Sequence, residues 1–433
     1  MNGARRPTLA GHVRARLAPA FWTGIANALP RGAVLIAGLY VAHRFGADAF
    51  ARYSLAIVTV TVGGGIVSMA LIAIGTKYVP ELAVAAGGRQ GAGFSVLLLF
   101  GATLAVALGT ATFALAAPLA ALLGHPDALA DTLQVAAGVV AAAVLYGAVN
   151  GIVVGSARFA TSAIATVGGT VVFAVGLVPL ADGLGISGVL VALGVLYAVT
   201  AATELLTIAP TAAADFRRGS LAERVAPWRR IAGFLVPMLL FIAIVPALVW
   251  GCNAILANGA APLTEVARFN AAYNWYAVAA FLPNVLAQVE FVRLSRAKSS
   301  GDGAALKSIL RLAIAQNAVV MLALVGVGLA VAGPLAELFR VDDAPGRLAV
   351  RLMLVTALIV ALANPTGVFF AVVDRIWLAT WLLVAAGALT FAFAWALGGH
   401  GAVGMGVAFV AGFGLHAVAA VAIALRLLAT SRR

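Results

Sequence analysis

Residues 51–56 read ARYSLA and residues 267–272 read ARFNAA, 216 positions apart, each an arginine-led entry into a long apolar run. The same offset carries Pro30 onto Pro246, Pro118-Leu119-Ala120 onto Pro334-Leu335-Ala336, and Gly151 onto Gly367. It also carries Gly183, Gly185 and Gly188 onto Gly399, Gly401 and Gly404. Alanine matches weigh little in so alanine-rich a chain, but proline, arginine and glycine matches at one offset are hard to obtain by chance. The chain therefore reads as a tandem duplication, with halves 1–216 and 217–433.

The chain has 433 residues, 63% apolar and 10% charged, whereas an ordinary soluble domain is about 25% charged. A soluble fold of this length has too little interior to hide that much apolar surface. Lipid must then solvate most of the chain, and each crossing needs about 20 apolar residues. Twelve such runs are legible, at 20–42, 53–75, 93–117, 131–153, 162–180, 187–210, 231–257, 269–290, 308–332, 348–373, 376–397 and 403–427. Six spans per half is an even number, so both halves enter the membrane in the same direction. The expected fold is an all-α polytopic membrane protein of about twelve helices in two parallel six-helix repeats. A path between the two lobes follows naturally, as does a motion that rocks one lobe against the other.

Basic residues set the orientation. The N-terminal tail, the even-numbered connections, the C-terminal tail and the adjoining span ends hold 21 of the 28 Lys and Arg, five of them within 211–230. That bias places both termini in the cytoplasm. The formal net charge of +13 is dispersed among short connections, so membrane lipid is the expected partner and nucleic acid is not. Arg5, Arg6, Arg14 and Arg16 resemble the start of a secretion signal, but the run that follows is too long, and it reads as an uncleaved first span. A single Cys252 excludes an intrachain disulfide and a cysteine metal site. His43, His125, His400 and His416 lack metal-ligand spacing, no nucleophile–base pair is legible, and no loop can house a catalytic domain. Neither an enzyme nor a cofactor is expected.

GLGISG (183–188) matches a nucleotide-binding pattern literally, yet it precedes a membrane span and follows no soluble strand. Its counterpart GHGAVG (399–404) occupies the equivalent place, which reads as a tight helix–helix turn. Arg31 follows Pro30 near the middle of the first span, where an arginine costs about 2.5–3.5 kcal/mol. Thr23, Asn27 and Arg31 share a helix face, and the other half repeats the proline but places Ala247 where the arginine would be. A ligand role for Arg31 and Asn27 stands against an arginine that snorkels or pairs within the bundle. Arg52 and Arg268 recur in both halves, which suits a structural role, although two guanidinium groups could also bind an anion. Asn270, Asn274, Asn284 and Gln288 lie on one face of the eighth span, either as a wet wall for sugar hydroxyls or as interhelical glue. Tyr273, Trp275 and Tyr276 read as interface anchors. Glu290 reads as a local ion pair with Arg293 or as a cation-coupling group, and Glu204 carries the same ambiguity.

Twelve spans in two repeats resemble the MOP superfamily of multidrug, oligosaccharidyl-lipid and polysaccharide exporters. YVAHRFGADAFARYSLA (40–56), TKYVPELAVAAGG (76–88) and GSARFATSA (155–163) resemble its first, second and fourth connections. The chain looks most like the bacterial O-antigen and exopolysaccharide flippases of that superfamily. The resemblance implies a MATE-like two-lobed fold in the bacterial inner membrane. It further implies transfer of undecaprenyl-pyrophosphate-linked oligosaccharides by alternating access, with possible polysaccharide-assembly partners. Arg31, with Arg52 and Arg268 behind it, would meet the pyrophosphate, and the amide stripe would meet the glycan. The alternatives are a cation-coupled multidrug antiporter of the same fold and a membrane enzyme of polysaccharide assembly.

Overall fold

A computed structural model describes residues 9–85, 93–218, 228–299 and 303–430. The described residues are helical almost throughout, because a backbone in hydrocarbon must satisfy its own hydrogen bonds. In the first repeat α1 is Leu9–Phe45 and α2 is Ala47–Val60, continued through a π-helical turn, Thr61–Gly65, into α3, Ile66–Ala85. There follow α4 Phe94–Ala114, a short α5 Ala116–Leu122, α6 Pro126–Gly155, α7 Phe159–Leu184 and α8 Ile186–Arg218. The second repeat comprises α9 Trp228–Ala257, α10 Pro262–Ser299, α11 Gly303–Ala330, a short α12 Ala332–Glu337, α13 Ala344–Val372, α14 Ile376–Ala396 and α15 Gly401–Thr430. The duplication is visible in the bounds: α5 and α12 begin 216 residues apart, and α4 and α11 end 216 residues apart. Among the described residues, eleven helices are long and apolar enough to cross a membrane. The twelfth long helix is α10, whose Glu265, Arg268, Glu290, Arg293 and Lys298 lower its mean hydropathy.

The glycine motif is a turn. Gly185 (φ +61°) alone separates α7 from α8, and Gly401 (φ +62°) opens α15 in the other half. Three residues on, a Cβ at Gly188 would stand 1.9 Å from the Leu180 carbonyl oxygen, and one at Gly404 would stand 2.2 Å from that of Leu397. The chain can double back this tightly only where no side chain intervenes.

The helices pack as two compact units. Unit 1 is Met1–Ala37, Thr59–Ala117 and Ala130–Leu239; unit 2 is Gly38–Val58, Pro118–Leu129 and Leu240–Arg433. Segments 38–58 and 118–129 of the first repeat thus group with unit 2, and unit 1 extends to Leu239. In unit 1, α3 and α6 meet through small residues: Cβ atoms at Gly75 and Gly147 would fall 2.3 and 2.5 Å from backbone atoms of Gly151 and Ser68. In unit 2, the rings of Phe50 and Phe339 lie 4.8 Å apart, and Asn258 Nδ2 donates to the Leu122 carbonyl at 2.9 Å.

Candidate functional site

The most unusual polar group of unit 1 is Glu204, on α8 and 0% exposed. Asn150 of α6 donates to Glu204 Oε1 at 2.7 Å and to Ser162 Oγ of α7 at 2.6 Å. Glu204 Oε2 is buried and has no hydrogen-bond partner among the described residues. Taking a carboxylate out of water costs several kcal/mol, more than the hydrogen bonds from Asn150 and Ser162 return. Such a group is equipped to take up a proton or a small cation at its open oxygen. Tyr146 of α6 stands within electrostatic reach of Glu204, its ring 5.6 Å from that of Tyr197 on α8. Tyr197 in turn feels Arg31. Arg31, the two tyrosines and Glu204 thus all belong to unit 1. Only Arg31 and Glu204 of this group stand out in the sequence. Asn150, Ser162, Tyr146 and Tyr197 are common residues whose convergence from three helices has no linear signal.

Arg31 is exposed on α1. Asn27 beside it spends an amide hydrogen on its own helix, donating to the Thr23 carbonyl at 2.8 Å. Arg52, on α2, is half-buried, and its Nε has no partner among the described residues. Burial, and then the Arg52 guanidinium, hold the His125 imidazole below its usual range.

Arg268 has carboxylate partners among the described residues. It pairs with Asp343 and Glu265, its Nε donating to Asp343 Oδ1 at 3.1 Å. Asp343 also caps α13, accepting from Gly346 N at 2.9 Å, and Glu265 accepts from Ala402 N at 2.6 Å. Arg268 thus ties α10 to the starts of α13 and α15, which supports the structural alternative over anion binding. Burial opposes ionisation of Asp343, but Arg268 and the Gly346 amide outweigh it and hold this carboxyl below its usual value.

Two side chains of the amide stripe, Asn270 and Asn274, lie among the described residues. Asn270 is buried and donates to Asn253 Oδ1 at 2.6 Å and to the Val266 carbonyl at 2.8 Å, acting as glue between α9 and α10. Asn274 is half-buried, while the side chains of Asn284 and Gln288 lie outside the described residues. The aromatic group makes contacts within the protein. Trp275 Nε1 donates to the Leu335 carbonyl at 2.9 Å, and Tyr273 stacks on the buried Tyr276 at 5.4 Å. Glu290 lies within electrostatic reach of Arg293, and its hydrogen-bond partner is Asn317 of α11, at 2.9 Å. Among the described residues no group of His, Cys, Asp and Glu could hold a metal ion.

No protein-family model and no curated protein sequence matches the chain. Solved structures do. A multidrug resistance MATE transporter of the MOP superfamily, in an inward-facing conformation, is 16% identical with a TM-score of 0.80, covering 94% of this chain and 98% of its own. The fold is MATE-like. A MOP-superfamily transporter from Pyrococcus furiosus is 17% identical over 96% of this chain and 95% of its own, with a TM-score of 0.72. The eukaryotic MATE transporter AtDTX14 is 13% identical over 95% of this chain and 96% of its own, with a TM-score of 0.73. These neighbours support a multi-pass membrane chain with the superfamily's two-lobed fold. They lend no support to the O-antigen flippase branch.

Proposed function

We propose that the protein is a cation-coupled exporter of amphipathic molecules, working by alternating access, with Glu204 as the coupling group. The observation that carries this reading is Glu204 itself: wholly buried, held by Asn150 and Ser162, and with no hydrogen-bond partner on Oε2 among the described residues. Such a carboxylate binds a proton or small cation when the substrate has left, and releases it when the substrate returns. The fold neighbours named as multidrug transporters make the same reading more economical than a flippase. The test is flux in proteoliposomes. Ethidium accumulation should follow an imposed pH or sodium gradient, and Glu204→Gln should abolish gradient-driven flux while leaving the protein folded. Gradient-driven ethidium flux that survives the substitution would remove Glu204 from the role.

A second reading retains a lipid-linked oligosaccharide substrate, and one observation favours it: Arg31 is exposed at membrane depth and has no counterpart in the other repeat. Transfer of a polyprenyl-pyrophosphate glycan between leaflets of the same vesicles, lost in Arg31→Ala and indifferent to Glu204→Gln, would select it.

A further inference from the structure

Unit 2 holds a second buried carboxylate, and it borders a cavity. A groove of about 460 Å³ runs between α10 and α11, with Leu286, Glu290, Arg293, Leu312, Gln316 and Val319 among its walls. Glu290 is 5% exposed and its Oε2 has no partner among the described residues; Asn317, which holds the other oxygen, also has an unpartnered acceptor, Oδ1. An acceptor on the groove wall with no donor among the described residues calls for a group that carries N–H. Arg293, three residues on from Glu290, contributes the opposite charge and is exposed. The groove thus offers an acceptor for a cation and a guanidinium for an anion within one helical turn.

What reaches this groove comes from lipid. Leu312, Val319 and Leu322 are 53%, 69% and 59% exposed on α11, an apolar stripe that hydrocarbon accommodates and water does not. Depth agrees. From Glu265 to Lys298 α10 rises about 50 Å, so a hydrocarbon core of about 30 Å leaves about 10 Å beyond it at each end. Glu290 lies about 12 Å before Lys298, near the boundary where acyl chains give way to headgroups. Basic-residue placement assigns this end to the cytoplasmic leaflet.

We infer that the groove between α10 and α11 binds a phospholipid whose headgroup carries both a primary ammonium and a phosphate. The ammonium donates to Glu290 Oε2, the phosphate accepts from Arg293, and an acyl chain lies along Leu286 and Val319. This site is independent of the transport reading. The experiment uses full-length protein purified in detergent and exposed to phosphatidylethanolamine, phosphatidylcholine or phosphatidylglycerol, read by native mass spectrometry and thermal shift. Phosphatidylethanolamine should be retained about tenfold better than phosphatidylcholine, which has no N–H donor. Glu290→Gln should abolish that preference. Val319→Trp fills the groove without touching the Glu290–Asn317 bond, and should remove retention even if Glu290→Gln fails to fold. Equal retention of the ethanolamine and choline lipids would overturn the inference, as would stronger retention of phosphatidylglycerol. A preference unchanged in Val319→Trp would also overturn it, placing the lipid elsewhere.

Discussion

Arg268 and Arg52 stand at equivalent positions of the two repeats, yet only Arg268 has a described ion pair. The offset that pairs these arginines also pairs Asp343 with Asp127, and that double match is the linear signal from which the Arg268–Asp343 contact could have been read. Asp343 is partly exposed, so solvent screening keeps the contribution of the pair to about 1 kcal/mol or less. Its folded carboxyl titrates below the usual value of 3.8. Stability from this pair is therefore present above the usual value of 3.8 and is lost as pH falls through the lower folded value. Thermal unfolding of detergent-solubilised protein should show a stability decrease on acidification through that window, and Asp343→Asn should flatten it. An equally steep decrease in the variant would assign it to other carboxylates. Intramembrane groups such as Glu204 follow a different logic: the sequence exposes the anomaly of a carboxylate in a span, but not its partners. Asn150 is 54 positions from Glu204, and only helix packing brings them together.

At the scale of elements, the spans and their order are legible because lipid imposes a single rule on every crossing. The 183–188 and 399–404 glycines read as turns, and both stretches contain a positive-φ glycine at the expected junction. The short helices α5 and α12 have no helical signature of their own in the sequence, although the Pro-Leu-Ala match marks their position. Nor has the π-helical turn at Thr61–Gly65, where a Cβ at Gly64 would stand 3.0 Å from the Val140 backbone. Repetition alone is a poor guide to role. A Cβ at Gly151 would fall 2.6 Å from the Leu71 carbonyl oxygen, whereas one at its counterpart Gly367 would meet nothing within 4 Å. Gly151→Ala should therefore destabilise the fold by about 1–3 kcal/mol through overpacking, while Gly367→Ala should be neutral or mildly stabilising in a helix. Unfolding measurements on the pair provide an internal control. Equal effects would contradict the assignment of a close α3–α6 contact to Gly151.

For the whole molecule, duplication and packing follow different boundaries. The sequence repeat divides near 216, but segments 38–58 and 118–129 of the first repeat belong to unit 2. No linear feature marks that exchange, because it depends on which ends of the helices meet. Local binding can bias a global rearrangement by as much as its affinity differs between the two states. Glu204, Asn150, Ser162, the two tyrosines and Arg31 all fall within unit 1. In the proposed mechanism substrate and coupling cation compete through Glu204. The most direct test of that competition is proton release by purified protein in weakly buffered detergent on addition of ethidium. Release of about one proton per molecule is expected when protons are the coupling ion, replaced by release of bound sodium when sodium is. Neither should be detected in Glu204→Gln. Undiminished cation release from Glu204→Gln, with ethidium still bound, would contradict coupling through this carboxylate.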